Sequence, residues 1–213
     1  MRKLGLLKNA TLGVAASVCL GAPSATAADA GPYASVGIGL LSVMDRDGST
    51  GSVSATESYE YGPTINGAVG YTFGNGFRSE LEVGYSSVDV DEVKASDGVT
   101  SVTLDAGSVD VSILTVTANA FYDFRPDEQF SPYVGGGIGF ARIEADDFSQ
   151  GGYNVEGVSE TDLTAFAELG VGIALSDKIT VAPAYRFMWV NNGSGGWDDS
   201  QAHLFKVGAR FAF

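Results

Sequence analysis

Large apolar residues occupy every second position at the end of the chain, from 205 to 213, with Lys206 and Arg210 between them. This period of two predicts a β-strand with one apolar face and one polar face. Chain ends fray unless neighbouring structure holds them. A strand that runs to the last residue therefore indicates a partner strand elsewhere in the sequence.

The same alternation recurs along the chain and predicts eight strands of about 12 to 14 residues, long enough to cross a bilayer at a tilt. The clearest is FRSELEVGYS at 77–86, where Leu81 and Val83 alternate with Arg78, Glu80 and Glu82. The eight predicted strands cover 32–43, 61–73, 77–88, 111–124, 132–143, 162–175, 179–190 and 202–213.

The connections between these strands alternate in length. Short turns are predicted at 74–76, 125–131 and 176–178, and long polar connections at 44–60, 89–110, 144–161 and 191–201. This order is typical of antiparallel strands that leave one membrane face by loops and return at the other by turns. An even number of strands places both chain ends on the short-turn side. Pro183 lacks an N–H inside the seventh strand, which indicates either a bulge there or different bounds for this strand.

Alternation alone does not say whether the apolar face points into a protein core or into lipid. A secreted soluble barrel of the lipocalin sort would have the faces reversed. The polar face of SPYVGGGIGFA carries no charge, which suits the inside of a narrow barrel better than a solvent surface. Aromatic residues also gather at the strand ends, as two interfacial girdles require. The predicted girdle residues are Tyr61, Phe73, Phe77, Tyr85, Phe124, Phe140 and Trp189.

We therefore predict an all-β fold, an eight-stranded antiparallel up-and-down transmembrane β-barrel. The last strand must pair with the first, because an open sheet edge in hydrocarbon leaves backbone groups unsatisfied. Side chains just fill a barrel of this size. The polar network predicted for the interior is Arg78, Glu80, Glu82, Asn119, Asp123, Glu168, Arg186, Lys206 and Arg210. These charges could pair into a structural plug or line a narrow conduit.

The first 27 residues have the features of a cleaved secretory signal peptide: basic residues in MRKLGLLKN, a short apolar run, and a small-residue site that allows cleavage after Ala27 or Ala30. The barrel domain is then 28–213. Cys19, the only cysteine, lies in the leader, so a disulfide framework is excluded. Removing the leader leaves nine basic residues against 26 acidic ones, a net charge of −17. Nucleic acid is therefore excluded as a partner.

The segments FRSELEVGYS, NAFYDF followed by a turn and SPYVGGGIGF, Tyr185-Arg186-Phe187, and the closing VGARFAF resemble the small outer-membrane β-barrel proteins of Gram-negative bacteria. This family includes opacity-type and porin-like surface antigens and OmpA/OmpX-like eight-stranded barrels. The resemblance covers the whole mature chain. It implies an outer-membrane location, and it implies that Phe211 and Phe213 form the signal read by the barrel assembly machinery, with periplasmic chaperones as partners during export.

The function expected on this basis is non-catalytic: a surface antigen whose four acidic loops serve adhesion, surface contact or envelope integrity. A low-conductance porin for small solutes and an enzyme that modifies lipid A are the alternatives. His203 is the only histidine, and its sequence context shows no suitable catalytic constellation. We predict no cofactor and no metal site, and we expect a monomer.

Acidic residues recur in the four long connections. They could hold divalent cations against lipopolysaccharide phosphates, although solvated loop charge is the simpler interpretation. Outer-membrane lipids and lipopolysaccharide are thus the expected partners, and the sequence does not identify an external ligand. The acidic groups are Asp45 and Asp47; Asp89, Asp91 and Glu92; Asp146 and Asp147; and Asp198 and Asp199.

Overall fold

The computed structural model describes residues 30–44, 46–50, 53–59, 61–96, 101–126, 128–145, 148–150, 153–155, 157–191 and 199–213. The predicted signal peptide lies outside these residues. No helix in the described part of the chain is long and apolar enough to cross a membrane. The strands are β1 (Gly31–Val43), β2 (Arg46–Thr50), β3 (Val53–Tyr59), β4 (Tyr61–Thr72), β5 (Phe77–Ser96), β6 (Ser101–Asp123), β7 (Phe130–Ala145), β8 (Phe148–Gln150), β9 (Tyr153–Val155), β10 (Val158–Ser176), β11 (Ile179–Val190) and β12 (Ser200–Ala212).

Eight of these strands close into an antiparallel barrel, which confirms the predicted fold class. The order around the barrel is β1, β4, β5, β6, β7, β10, β11 and β12. β12 pairs with β1 from Tyr33 opposite Ala212 to Val43 opposite Ala202. The backbone N–H of Phe213 donates to the carbonyl of Pro32 at 3.2 Å, so pairing extends to the last residue. The partner strand that the C-terminal alternation requires is therefore the first strand.

One end of the barrel, which we name the short-turn end, carries the tight turns and both ends of the described chain. Gly74 and Gly76 flank the first turn with φ angles of 73° and 87°, a conformation that glycine adopts without a Cβ penalty. Asn75 supports the turn, because its side-chain Oδ1 accepts the N–H of Phe77 at 3.2 Å. The opposite end is named the long-strand end.

At the long-strand end the strands continue well beyond their predicted limits. β5 and β6 stay paired up to Ser96 opposite Ser101, and β2 and β3 form a hairpin that adds to the extended part of β5. Much of what the sequence predicted as polar connection at 44–60 and 89–110 is therefore strand. The physical reason is that an antiparallel ladder satisfies its own backbone groups once two strands are in register, whether or not a barrel surrounds them.

Pro183 has a different effect from the one predicted. Pairing of β10 with β11 passes from Gly170 opposite Ala184 to Ile173 opposite Val181 without a change of register. The bulge predicted at Pro183 is therefore wrong: the proline interrupts the ladder with β10 locally, and the strand continues in the same register. A register shift occurs instead beside the tight turn, between Ala174 and Ser176.

The apolar faces of the barrel strands point outward and the charged faces point inward. Ile38 is 68% exposed and Leu81 is 54% exposed, whereas Arg78 and Glu82 in the same wall are 4% and 2% exposed. The soluble alternative required the reverse arrangement and is wrong. All seven aromatic residues predicted for the girdles are exposed, as expected for rings on the outer face of the barrel wall.

Candidate functional site inside the barrel

All nine side chains predicted for the interior lie inside the barrel wall. β5 contributes Arg78, Glu80 and Glu82; β6 contributes Asn119 and Asp123; β10, β11 and β12 contribute Glu168, Arg186, Lys206 and Arg210. Eight of the nine are charged, four of each sign. They divide into two clusters at different heights, and each cluster is neutral.

The central cluster consists of Glu82, Glu168, Arg186 and Lys206. The guanidinium of Arg186 bridges both carboxylates, at 2.5 Å to Glu82 Oε1 and 2.6 Å to Glu168 Oε2. Lys206 Nζ lies 3.0 Å from Glu168 and 3.4 Å from Glu82. Asn66 donates a further hydrogen bond to Glu82 Oε2 at 3.1 Å. Buried charges are tolerated when they are paired and hydrogen-bonded in this way.

The lower cluster lies nearer the short-turn end and consists of Arg78, Glu80, Asp123 and Arg210. Arg78 donates to Asp123 Oδ2 at 2.7 Å and to Glu80 Oε1 at 2.8 Å. Tyr33 also donates to Glu80 Oε1, at 2.6 Å. Arg210 is held less closely, because its nearest ion-pair atom is Asp123 Oδ2 at 3.6 Å. Arg210 is therefore the least constrained cation of the two clusters.

Aromatic rings inside the barrel stack on the guanidinium groups of Arg186 and Arg78. Arg186 lies 3.7 Å from the ring centroid of Phe166, and Arg78 lies 4.5 Å from that of Phe121. The glycines of β7 make room for these rings: a Cβ added at Gly137 would meet Asn119 Oδ1 and would lie 2.6 Å from Phe166 Cε1. The uncharged inner face of β7 is thus a packing surface for the cation–aromatic stacks.

Sequence reasoning missed an apolar layer inside the barrel toward the long-strand end. Leu41, Val88, Val111, Met188 and Leu204 are all buried and belong to one hydrophobic cluster. We name these five residues the apolar plug. A signal existed in the sequence, because apolar neighbours in Leu40-Leu41, Leu204-Phe205 and FMW at 187–189 interrupt the alternation and place apolar side chains on both faces. The interior is therefore polar at one height and apolar at another.

The lone histidine lies away from both clusters. Its Nδ1 is 2.7 Å from the hydroxyl of Tyr185, and its ring packs near Phe187 with centroids 5.2 Å apart. Both partners are part of the aromatic outer wall of β11. His203 is thus engaged as a polar member of an aromatic patch on the lipid-facing side.

Two further groups of predicted residues can be located. Phe211 pairs across the sheet with Ala34 and with Ile179, and Phe213 follows it at the short-turn end. Of the acidic groups, the side chains of Asp45, Asp47, Asp91, Glu92, Asp146, Asp147 and Asp198 lie outside the part of the structure that can be described.

One acidic pair on the extended strands is described. Asp89 lies directly opposite Asp110 on β5 and β6. A hydrogen bond that Asp89 accepts from the Asp110 carboxyl, together with the negative charge of Asp89, raises the pKa of Asp110 above its ordinary value. Among the described residues, no group of three or more His, Cys, Asp or Glu side chains is arranged to hold a metal ion.

A closed eight-stranded barrel with apolar residues outside and ion pairs inside defines a small transmembrane-type β-barrel. The chain belongs to the outer membrane protein beta-barrel domain family, whose model matches residues 12–213. Proteins of this family are located in the bacterial outer membrane. An uncharacterized protein of Brucella abortus is 26% identical over 166 residues, which are 69% of this chain and 58% of that protein. The chain thus spans somewhat over half the length of the curated relatives that it matches.

Two solved structures share the fold. Neisserial surface protein A is 20% identical, with a TM-score of 0.54, and the match covers 87% of this chain and 99% of that one. The outer membrane protein OprG from Pseudomonas aeruginosa is 13% identical, with a TM-score of 0.57, and the match covers 86% of this chain and 96% of that one. At these identities the likeness concerns the barrel architecture.

Proposed function

We propose that this protein is a non-catalytic outer-membrane barrel that displays its long-strand end at the cell surface, for contact with other surfaces or for envelope integrity. The short-turn end then faces the periplasm. The observation that carries this proposal is the filled interior, in which two neutral ion clusters and the apolar plug occupy the lumen at successive heights. Such an interior supports a rigid scaffold rather than a route for solutes.

The extended strands support the display role. Beyond the barrel, β5 and β6 remain paired to Ser96 and Ser101, and β3 and β2 widen the sheet beside them. A paired sheet forms a rigid extension of the barrel wall beyond the membrane. The sequence of this region is rich in acidic residues, for which a cationic surface or a cation-bridged lipopolysaccharide layer is the complementary partner.

Single-channel recording tests the filled interior. The protein refolded into a planar bilayer is expected to show no discrete conductance steps. Steps that vanish when Glu82 or Arg186 is neutralised would instead establish the pore alternative, and a change in lipid A mass on expression would establish the enzyme alternative.

Cell attachment tests the display role. A variant in which residues 91–108 are replaced by a short Asn-Gly turn shortens β5 and β6 but keeps their barrel portions in register, with Val90 still opposite Val109. We expect it to keep the heat-modifiable gel mobility of a folded barrel while cells that express it lose attachment to a cationic surface. Equal attachment by cells that express the variant and cells that express the unchanged protein would argue against display by this segment. A matched second variant replaces the same residues by Ser and Gly at their full length, which removes the acidic residues without shortening the segment.

A further inference from the structure

The apolar plug and the polar clusters make the two ends of the barrel interior unlike each other. Toward the long-strand end, the plug and Ala141, which is 0% exposed, form the apolar part of the interior. Buried hydroxyls beside them are paired, Thr64 with Ser86 at 2.8 Å and Thr164 with the carbonyl of Trp189 at 2.8 Å. Toward the short-turn end, the inward side chains are charged and hydroxylated. Water enters polar cavities and avoids dry apolar ones, so the two halves differ in what they admit.

Two cavities lie in the polar half. One, of about 40 Å³, lies between the clusters and is lined by Glu80 and Arg210 of the lower cluster and by Glu82, Glu168 and Lys206 of the central cluster. The other, of about 50 Å³, lies at the short-turn mouth and is lined by Asp123, Ser131 and Arg210 among others. Arg210 lines both, so its side chain separates the mouth from the inner cavity.

Several buried polar atoms in this half have no hydrogen-bond partner within the described residues. They include both amide atoms of Asn119, which is 5% exposed, the Oδ1 atoms of Asn66 and Asp123, and the hydroxyls of Thr117 and Ser131. One further atom of this kind, Asp162 Oδ2, lies opposite Ala141 toward the long-strand end. An unsatisfied buried polar group is costly, and ordered water is its usual partner. A polar cavity of about 40 Å³ accommodates roughly three water molecules.

We propose that the polar half is a hydrated chamber that opens only at the short-turn end, in which water bridges the two ion clusters and Arg210 controls entry. The ligand is water itself, since each cluster is neutral and offers no net charge for an ion. The weak attachment of Arg210, at 3.6 Å from Asp123, makes it the movable part. The plug closes the other end.

Thiol protection by Ag⁺ tests this proposal, because Ag⁺ is small, reacts with thiolates and does not cross lipid. In the full chain with Cys19→Ala no native cysteine remains. Ser35→Cys reports on the inner cavity, which Ser35 lines. Asp177→Cys reports on the short-turn end and Ser159→Cys on the long-strand end, since both residues are exposed, whereas Ala141→Cys reports on the buried interior beside the plug.

Each variant is reconstituted into vesicles with unequal orientation, treated with external Ag⁺ in nitrate buffer, quenched, denatured and labelled with a maleimide dye. The fraction protected at Ser35→Cys is expected to equal that at Asp177→Cys, while Ala141→Cys stays fully labelled. If the protected fraction at Ser35→Cys matches that at Ser159→Cys, or if Ser35→Cys is not protected at all, the proposal is overturned. In both cases the proposed non-conducting barrel would still stand. Complete protection in all vesicles means that both ends are open and refutes the non-conducting function as well.

The role of Arg210 has its own test. Asp123→Asn removes the only counter-ion within 4 Å of Arg210 among the described residues, whereas Arg78, which also loses Asp123, keeps Glu80 at 2.8 Å. The change makes the chamber more positive, so electrostatics alone would slow Ag⁺. Release of Arg210 is expected to accelerate protection at Ser35→Cys about fivefold, the factor for an ion pair at the upper end of the range for partly exposed pairs. Glu128→Gln, at the same mouth, is the control and should leave the rate unchanged. An unchanged or slower rate in Asp123→Asn shows that Arg210 does not control entry.

Discussion

Replacing Arg186 with methionine removes the cation that joins the two buried carboxylates of the central cluster. Among the described residues, Glu82 and Glu168 are left with Lys206 as the one cation that they share, and the side chains of both acids are only 2–3% exposed. The change also removes the stack on Phe166. Breaking a buried pair by deleting one partner typically costs about 3–5 kcal/mol, because the remaining charge is desolvated without compensation. We expect the free energy of unfolding to fall by an amount in that range.

Urea unfolding in lipid vesicles, followed by tryptophan fluorescence and by heat-modifiable gel mobility, measures this loss. Arg125→Met is the matched control, because Arg125 pairs with Glu128 at an exposed turn where both side chains are more than half accessible. Exposed pairs contribute no more than about 1 kcal/mol. A loss in Arg186→Met no larger than in Arg125→Met would refute the view that the central cluster stabilises the barrel.

A second substitution separates charge from packing. Arg186→Met together with Glu168→Gln restores a neutral cluster of Glu82 and Lys206, which are already 3.4 Å apart. The double variant should therefore be more stable than Arg186→Met alone, which gives a favourable coupling energy in a double-mutant cycle. If the double variant is less stable than the single one, the loss in Arg186→Met comes from packing rather than from uncompensated charge.

Further outcomes are expected elsewhere in the chain. Gly137→Val should lower the urea midpoint, since any Cβ there meets the Phe166 ring, and refolding yield checks this. Asp110→Asn should raise the unfolding temperature at neutral pH, where Asp89 disfavours the ionised form of Asp110, and the gain should disappear below about pH 3, where the Asp110 carboxyl is protonated in both the folded and the unfolded state. An equal gain at both pH values contradicts this assignment. Phe213→Ser should reduce outer-membrane assembly in cells while leaving refolding in vitro intact, as fractionation and gel mobility would show.

The sequence predicts the barrel well because a period of two reports directly on which side of a sheet each residue faces. The number of barrel strands and the inward placement of the nine polar residues follow from this period. The contacts within the two ion clusters do not follow from it. Glu168 and Arg186 are direct neighbours on β10 and β11, but Arg186 meets Glu82 across the lumen, 104 residues away in sequence. Such contacts depend on barrel diameter and on the stagger of the strands, which alternation does not encode.

The ion clusters and the apolar plug, which both fill the lumen, differ in how precisely the surrounding strands must be positioned. The ion clusters depend on hydrogen bonds of 2.5–3.4 Å, so they need walls held in fixed register, and the tight turns next to the lower cluster provide this. The apolar plug needs only volume, and apolar side chains of similar size pack with modest cost. If the barrel is non-conducting as proposed, an apolar plug at the long-strand end can therefore close it without the fixed geometry that the ion clusters require.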